Sequence, residues 1–135
     1  MAGSLGKGWE ARLEYWHRRY AKAGRGLVVK TEPPVKVSRS GQPFAWAGKG
    51  PVDYVGVIDG RSVFFDAKAT KAKWTPGKVA KHQARMLDRA VGVGALAFVA
   101  VRDSSGMWLH DWATGERIDI VDIAEGWADA VAASR

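Results

Sequence analysis

Apolar residues alternate with other residues on both sides of an Asp-Gly pair, and this is the clearest structural signal in the chain. The segment VDYVGVIDGRSVFFDAK, residues 52–68, reads as two strands joined at Asp59-Gly60. Asp-Gly between alternating apolar residues is a strong hairpin signal, and a two-residue turn fixes the register across it. In that register Asp53 lies directly opposite Asp66, and Lys68 shares their face of the sheet.

Apolar positions elsewhere predict helices and strands around this hairpin. Residues 8–23 are amphipathic at helical spacing, and Thr75 and Pro76 are a typical N-cap and first residue of a second helix that runs to about Val91. The remaining predicted elements are a helix at 123–133 and strands at 27–30, 95–101, 107–112 and 117–121. This order predicts an α/β fold of the α+β-like kind, with a mixed central sheet flanked by helices.

Residues 35–51 fit neither periodicity. They carry glycine, serine, proline and basic residues around Phe44 and Trp46, which is too polar a mixture for a core segment. Because both ends return to predicted strands, we predict a protruding β arm at about residues 33–49.

Length and composition limit the classes of protein that this chain can form. Its 135 residues fit one compact domain, 1–135. With no cysteine and three scattered histidines, disulfides and thiolate zinc sites are excluded, so any metal is expected to be held by oxygen ligands. No apolar run approaches the ~20 residues of a membrane span, and a secretion signal is not recognisable. We therefore expect a cytoplasmic protein with no membrane contact.

Charge is divided unevenly along the chain. The net charge is +7, but residues 1–102 carry 19 basic and 7 acidic side chains (+12), whereas residues 103–135 carry 2 and 7 (−5). A basic face on an otherwise balanced protein most often binds nucleic acid. A merely soluble basic protein is the alternative that charge alone leaves open.

Two carboxylates that face each other across a hairpin need compensation, and a divalent cation is the usual one. Pro51-Val52-Asp53 and Asp66-Ala67-Lys68 match the PD-(D/E)XK nuclease core, with the proline one residue early. In that chemistry Asp53, Asp66 and the backbone carbonyl of Ala67 hold Mg²⁺, for which Mn²⁺ can substitute, and Lys68 orients a water or stabilises developing charge. The alternative is a surface hairpin with a solvated Asp/Lys pair.

Two further polar residues are predicted to join this site. Glu10 lies at the border of the apolar stripe of the first helix, from which it could reach a metal or its water. An acid favoured by the helix dipole is an equally good interpretation of Glu10, and Glu14 is the competing candidate. In the second helix Gln83 lies on the stripe that faces the sheet, where a polar group needs a partner.

Basic residues downstream of the hairpin form a predicted phosphate track. Lys78, Lys81, Arg85 and Arg89 recur on one helical stripe, although a solvated helix face would look the same. Trp46 and Trp74 flank the site, where base contact and simple packing are both open. The residues predicted to contact DNA are Lys30, Lys36, Arg39, Lys71, Lys73, Lys78, Lys81, His82 and Arg85.

The chain resembles the RecU family of Holliday junction resolvases. The resemblance spans about residues 6–102 and rests on GWEARLEYWHRRY, KTEPPVKV, VDYVGVIDGRSVFFDAKAT, KHQ and GALAFVAVR. It implies a Mg²⁺-dependent site formed by Glu10, Asp53, Asp66 and Lys68 and supported by Gln83. It also implies a homodimer that places symmetric nicks in a four-way DNA junction, with the arm inserted at the junction centre.

Two features of the chain depart from the family pattern. Asp66 stands where these proteins usually carry Glu, which shortens the reach to a metal by one methylene, and the arm is compact. We interpret the chain as a metal-dependent endonuclease that resolves four-way junctions in a bacterial cell or a phage-infected host. A repair or restriction-type nuclease on the same core is the alternative enzyme, and a non-catalytic DNA-binding module is the alternative outside catalysis. Metal-dependent nicking separates these classes.

Overall fold

A six-stranded mixed sheet forms the centre of the computed structural model, which describes residues 4–31, 35–37, 43–45 and 52–134. The strands of the chain are β1 (Gly26–Lys30), β2 (Val35–Val37), β3 (Pro43–Ala45), β4 (Tyr54–Ile58), β5 (Arg61–Ala69), β6 (Leu96–Asp103), β7 (Gly106–Asp111) and β8 (Arg117–Asp119). The central sheet has the order β1-β4-β5-β6-β7-β8. Strands β5 and β6 run parallel, and every other neighbouring pair in this sheet is antiparallel.

Helices cover both faces of the sheet, as predicted for this fold class. Helices α1 (Ser4–Lys22) and α3 (Trp127–Ser134) pack on one face, and α2 (Lys81–Gly92) packs on the other. On the first face Trp9, Trp16 and Trp127 are buried with Phe65 and Phe98. The predicted apolar stripe of the first helix is therefore confirmed as its core-facing side.

The predicted hairpin register is confirmed. Tyr54 pairs with Phe65 and Val57 pairs with Ser62 across β4 and β5. The turn residues Asp59 and Gly60 have φ values of 50° and 78°, which is the left-handed backbone that a type I′ turn requires. The local sequence alone therefore fixes which side chains of β4 and β5 face each other.

The second helix begins later than predicted. Pro76–Lys78 forms a single 3₁₀ turn, Val79 and Ala80 are extended, and α2 begins at Lys81. Thr75 makes no side-chain cap. The segment is instead held by Trp74, whose side chain is 3 % exposed and whose backbone N–H donates to Asp103 Oδ2 at 2.9 Å. Tertiary contacts thus outweigh a favourable capping sequence.

The third helix begins at Trp127, not at Ile123. Gly126 precedes it with φ 88°, and a Cβ at this position would lie 2.5 Å from the Tyr20 hydroxyl and 2.8 Å from the Trp16 ring. Only a glycine lets the chain approach α1 this closely, so the helix starts after it.

The predicted arm falls mostly outside the described residues. Strands β2 and β3 pair antiparallel in a separate two-stranded sheet, whereas Trp46 and Arg39 lie outside the described ranges. Within those ranges, no helix is long and apolar enough to cross a membrane.

Candidate active site

Asp53 and Asp66 are locked together at the end of the β4–β5 hairpin. The backbone N–H of Asp53 donates to Asp66 Oδ1 at 2.9 Å, and the N–H of Ala67 donates to Asp53 Oδ2 at 3.0 Å. Each carboxylate therefore accepts a hydrogen bond from the backbone of the segment that carries the other. The structure brings the two acids together as the register predicted.

Asp66 is the most deeply buried ionisable side chain among the described residues. It has no exposed surface, and its Oδ2 is buried without a hydrogen-bond partner among the described residues. Burial and, after it, the neighbouring Asp53 carboxylate raise the pKa of Asp66 to about 7. An unpaired carboxylate oxygen beside a second carboxylate is the arrangement that a divalent cation would relieve.

Gln83 links the buried acid to the lysine. Its Nε2 donates to Asp66 Oδ1 at 3.2 Å, and its Oε1 accepts from Lys68 Nζ at 3.4 Å. Helix α2 supplies Gln83 and strand β5 supplies the other two groups. The glutamine thus fixes the position of the lysine relative to Asp66, and the structure brings all three side chains together.

An open pocket of about 320 Å³ lies at this end of the sheet, lined by Asp53, Ala67, Lys68, Ala69, Glu10, Trp9 and Gly6. Helix α1 supplies the last three of these residues. Glu14, one turn further along α1, instead lines a second pocket together with Lys30 and His17. Of the two competing acids, the structure therefore places Glu10 beside the hairpin acids.

The donor set suits a hard cation, although the acids are not gathered into one cluster. Among the residues described, no group of three or more His, Cys, Asp or Glu side chains is close enough to hold a metal ion. The carboxylates of Asp53 and Asp66, with the Ala67 backbone beside them, supply oxygen ligands of the kind that Mg²⁺ and Mn²⁺ bind. These residues fit a divalent cation, and Glu10 lines the same pocket as Asp53.

Most of the predicted DNA-contacting residues are exposed on the surface. Lys71, Lys73 and Lys78 are exposed on the segment between β5 and α2, and Lys81 and Arg85 are exposed on one face of α2. Lys78 precedes α2, so the predicted continuous stripe is interrupted at that residue.

The other residues predicted to contact DNA have different surroundings. Lys30 forms an ion pair with Glu10 at 3.5 Å, and His82 is half-buried. Arg39 lies outside the described residues, as does the side chain of Lys36. Trp74 is buried against Trp108, with ring centroids 5.7 Å apart, so of its two open interpretations the packing one is confirmed.

Comparisons with known proteins agree with this architecture. The model of the family RecU, described as recombination protein U, matches residues 4–109. A solved structure of Hjc, a Holliday junction resolvase from the archaeal hyperthermophile Archaeoglobus fulgidus, is similar over 95 % of this chain and 99 % of that chain, with a TM-score of 0.54. Its sequence is 19 % identical, so this likeness shows the fold. No curated protein matches the chain.

Proposed function

This chain belongs to the RecU family of Holliday junction resolvases, whose model covers more than three quarters of it. We propose that its active site is the pocket lined by Asp53 and Lys68, together with the buried Asp66 that is hydrogen-bonded to Asp53. The protein is a junction-cleaving nuclease of DNA recombination. The observation that supports this location is the interlock of the two acids, which leaves the buried Asp66 Oδ2 unpaired.

Resolvases of this family generally depend on a divalent metal, and the proposed ion here is Mg²⁺, with Mn²⁺ as a substitute. Asp53, Asp66 and the Ala67 carbonyl would hold it, and Glu10 would act through a water. When bound, such an ion supplies a Lewis acid for the scissile phosphate and lowers the pKa of its water. Because the carboxylates are already fixed by backbone N–H groups, little reorganisation would accompany binding.

Lys68 is the proposed catalytic cation of the site. Its ammonium is held by Gln83 Oε1 at 3.4 Å and faces the pocket that Asp53 lines. There it can orient the attacking water or offset the charge that develops on the phosphate. Attack in line by water would leave 5′-phosphate and 3′-hydroxyl ends.

Branched DNA is the substrate of the family, and the proposed track for its phosphates runs over the exposed basic residues between β5 and the middle of α2. These are Lys71, Lys73, Lys78, Lys81 and Arg85. Contacts to phosphate fix the position of the duplex without reading its sequence. In sequence, Lys71 and Lys73 follow Lys68 closely, and Lys81 and Arg85 lie on either side of Gln83. We therefore expect a DNA strand bound along the track to pass the acids.

Paired nicks require two sites on one junction, so the proposed assembly is a two-fold homodimer. Its proposed surface is the open end of the sheet at β1 and β4. Leu27 lies opposite Val57, and Val29 lies opposite Val55. Leu27, Val29 and Val57 are exposed by 63, 47 and 46 %. An apolar patch on an edge strand would be covered by a second copy of the same strand.

Three DNA substrates test this function. The protein is incubated with a four-way junction, the matched duplex and the single strand, each with and without Mg²⁺. Cleavage of the junction alone, only with metal and in opposed strands, is the expected result. Equal cleavage of the duplex would favour a repair or restriction-type nuclease, and binding without any cleavage would leave only a DNA-binding module.

A further inference from the structure

The outward side of α1 carries three arginines that belong neither to the core nor to the proposed active site. Arg12, Arg18 and Arg19 lie three or four residues from Tyr15 in sequence, so in a helix all three are neighbours of that side chain. Tyr15 is 44 % exposed, Arg18 and Arg19 are exposed, and Arg12 is half-buried. These four residues are termed the α1 cluster.

The positive charge of the α1 cluster is not neutralised by nearby acids. Among the described residues, no ion pair joins any of its arginines to a carboxylate. Glu10 and Glu14 are the acids of α1, but Glu10 pairs with Lys30, and Glu14 lines a pocket together with the same lysine. By contrast, Arg25 and Arg117 each form an ion pair with an aspartate. The arginines of the α1 cluster therefore differ from those that hold the fold together.

The side chains of the α1 cluster are available as donors to an anion. Arg19 lies over the ring of Tyr15, 5.7 Å from its centroid, and donates one N–H to the carbonyl of Ala124. Arg12 and Arg18 make no hydrogen bond to the described residues, so their N–H groups are open to a ligand. Guanidinium groups bind phosphate oxygens with two parallel hydrogen bonds, and a tyrosine hydroxyl also donates to phosphate. This chemistry fits the DNA backbone.

The α1 cluster lies on the helix that also lines the proposed active site. Glu10 lines the pocket, and Arg12 and Arg19 follow it by two and nine residues, which is about 3 and 14 Å along a helix axis. A DNA backbone that leaves the pocket along α1 would therefore meet these arginines.

The α1 cluster and the basic track on α2 lie on opposite sides of the sheet, because the two helices pack on opposite faces. A straight duplex bound along α2 cannot also reach α1 across the sheet. The arms of a four-way junction leave the branch point in different directions, so two of them can follow the two helices from a branch point at the pocket.

We propose that the α1 cluster is a second DNA-binding surface, which holds the phosphates of one junction arm while the track on α2 holds another. This inference rests on the proposed function of the pocket. It explains a preference for the junction over the duplex, because only a branched substrate occupies both surfaces at once. In the proposed dimer, two such surfaces on each protomer match the four arms.

Arg12→Gln combined with Arg18→Gln tests the proposal, because it removes two charges and keeps side chains that favour a helix. Gel-shift titrations without Mg²⁺, over a range of salt, give the affinities for a four-way junction and for the matched duplex. We expect junction affinity to fall about tenfold and its slope of log K against log salt to fall by about 1–2, whereas duplex affinity should stay within about twofold. Lys22→Gln combined with Arg61→Gln removes two charges outside the α1 cluster and is the matched control, which should change neither affinity. All variants should keep the wild-type Tm.

A junction with two opposed arms shortened and closed by hairpin loops shows whether the α1 cluster acts on a second arm. The wild type should bind this substrate about tenfold more weakly than the full junction. The double variant should bind it as the wild type does, because the contact is already missing.

Three outcomes would overturn the proposal: equal losses of affinity for junction and duplex, a further loss by the double variant on the shortened junction, or an unchanged affinity for the full junction. The last of these would assign the α1 cluster to an acidic protein partner. A wild type that nicks no junction with Mg²⁺ would instead overturn the proposed function itself.

Discussion

Gln83 on α2 donates a hydrogen bond to Asp66 on β5, with 3.2 Å between Nε2 and Oδ1. The same side chain accepts from Lys68, so the helix and the strand are joined at the acids. Gln83, a polar residue on the sheet-facing side of α2, thus finds its hydrogen-bond partners in the proposed catalytic groups.

Replacing Gln83 by Met should therefore slow junction cleavage by about 10–100-fold, since Asp66 and Lys68 would lose their shared partner. Junction affinity should change little, because Gln83 is not part of the basic track. Single-turnover cleavage and gel-shift titrations give the two values. Cleavage within threefold of the wild-type rate would mean that Gln83 only fills space.

The basic track should act through phosphates. Lys81→Ala combined with Arg85→Ala should weaken binding to junction and duplex alike, and should lower the slope of log K against log salt by about 1–2. Lys22→Ala combined with Arg61→Ala removes the same charge at the other end of the sheet and should leave the slope unchanged. If both pairs change the slope equally, the DNA is not bound along α2.

The proposed dimer should depend on the exposed face of β1. Leu27→Glu places a charge on a side chain that is 63 % exposed, so the monomer should fold while the proposed interface is broken. Sedimentation at micromolar concentration should show a wild-type dimer and a Leu27→Glu monomer that nicks one strand at a time. Val93→Glu, at a position 82 % exposed elsewhere, is the control. A wild type that sediments as a monomer alone and on the junction would contradict the paired-nick mechanism.

Acid stability should depend on His17, which is 5 % exposed and accepts from Trp127 Nε1 at 3.1 Å. Burial lowers the pKa of His17 to about 4, against 6.5 when unfolded. The unfolded chain therefore takes up a proton first, so stability is complete above about pH 6.5 and is lost as the pH falls toward 4. Protonation of His17 should lower the free energy of unfolding by about 3 kcal/mol. Urea unfolding of wild type and His17→Gln between pH 4 and 7 measures this loss. If the free energy of unfolding of both proteins falls with pH in parallel, His17 is not the source of the loss.

The sequence predicted those features that local patterns determine. The Asp59-Gly60 turn fixes the register that pairs Asp53 with Asp66, and helical spacing identifies the buried side of α1. The start of α2 could not be predicted in this way, because it depends on Trp74 packing against Trp108 and pairing with Asp103, residues distant in sequence. The choice between Glu10 and Glu14 likewise needed the packing of α1 against the sheet.

Asp66→Asn is the most direct test of the central claim, that the interlocked acids cleave the junction. It keeps the shape of the side chain while removing the buried charge, so single-turnover cleavage of a four-way junction with Mg²⁺ should fall by at least about a thousandfold, whereas junction affinity should be retained or rise. Asp119→Asn, on β8 at the far edge of the sheet, should cleave like the wild type. Cleavage by Asp66→Asn within about tenfold of the wild-type rate would contradict the account.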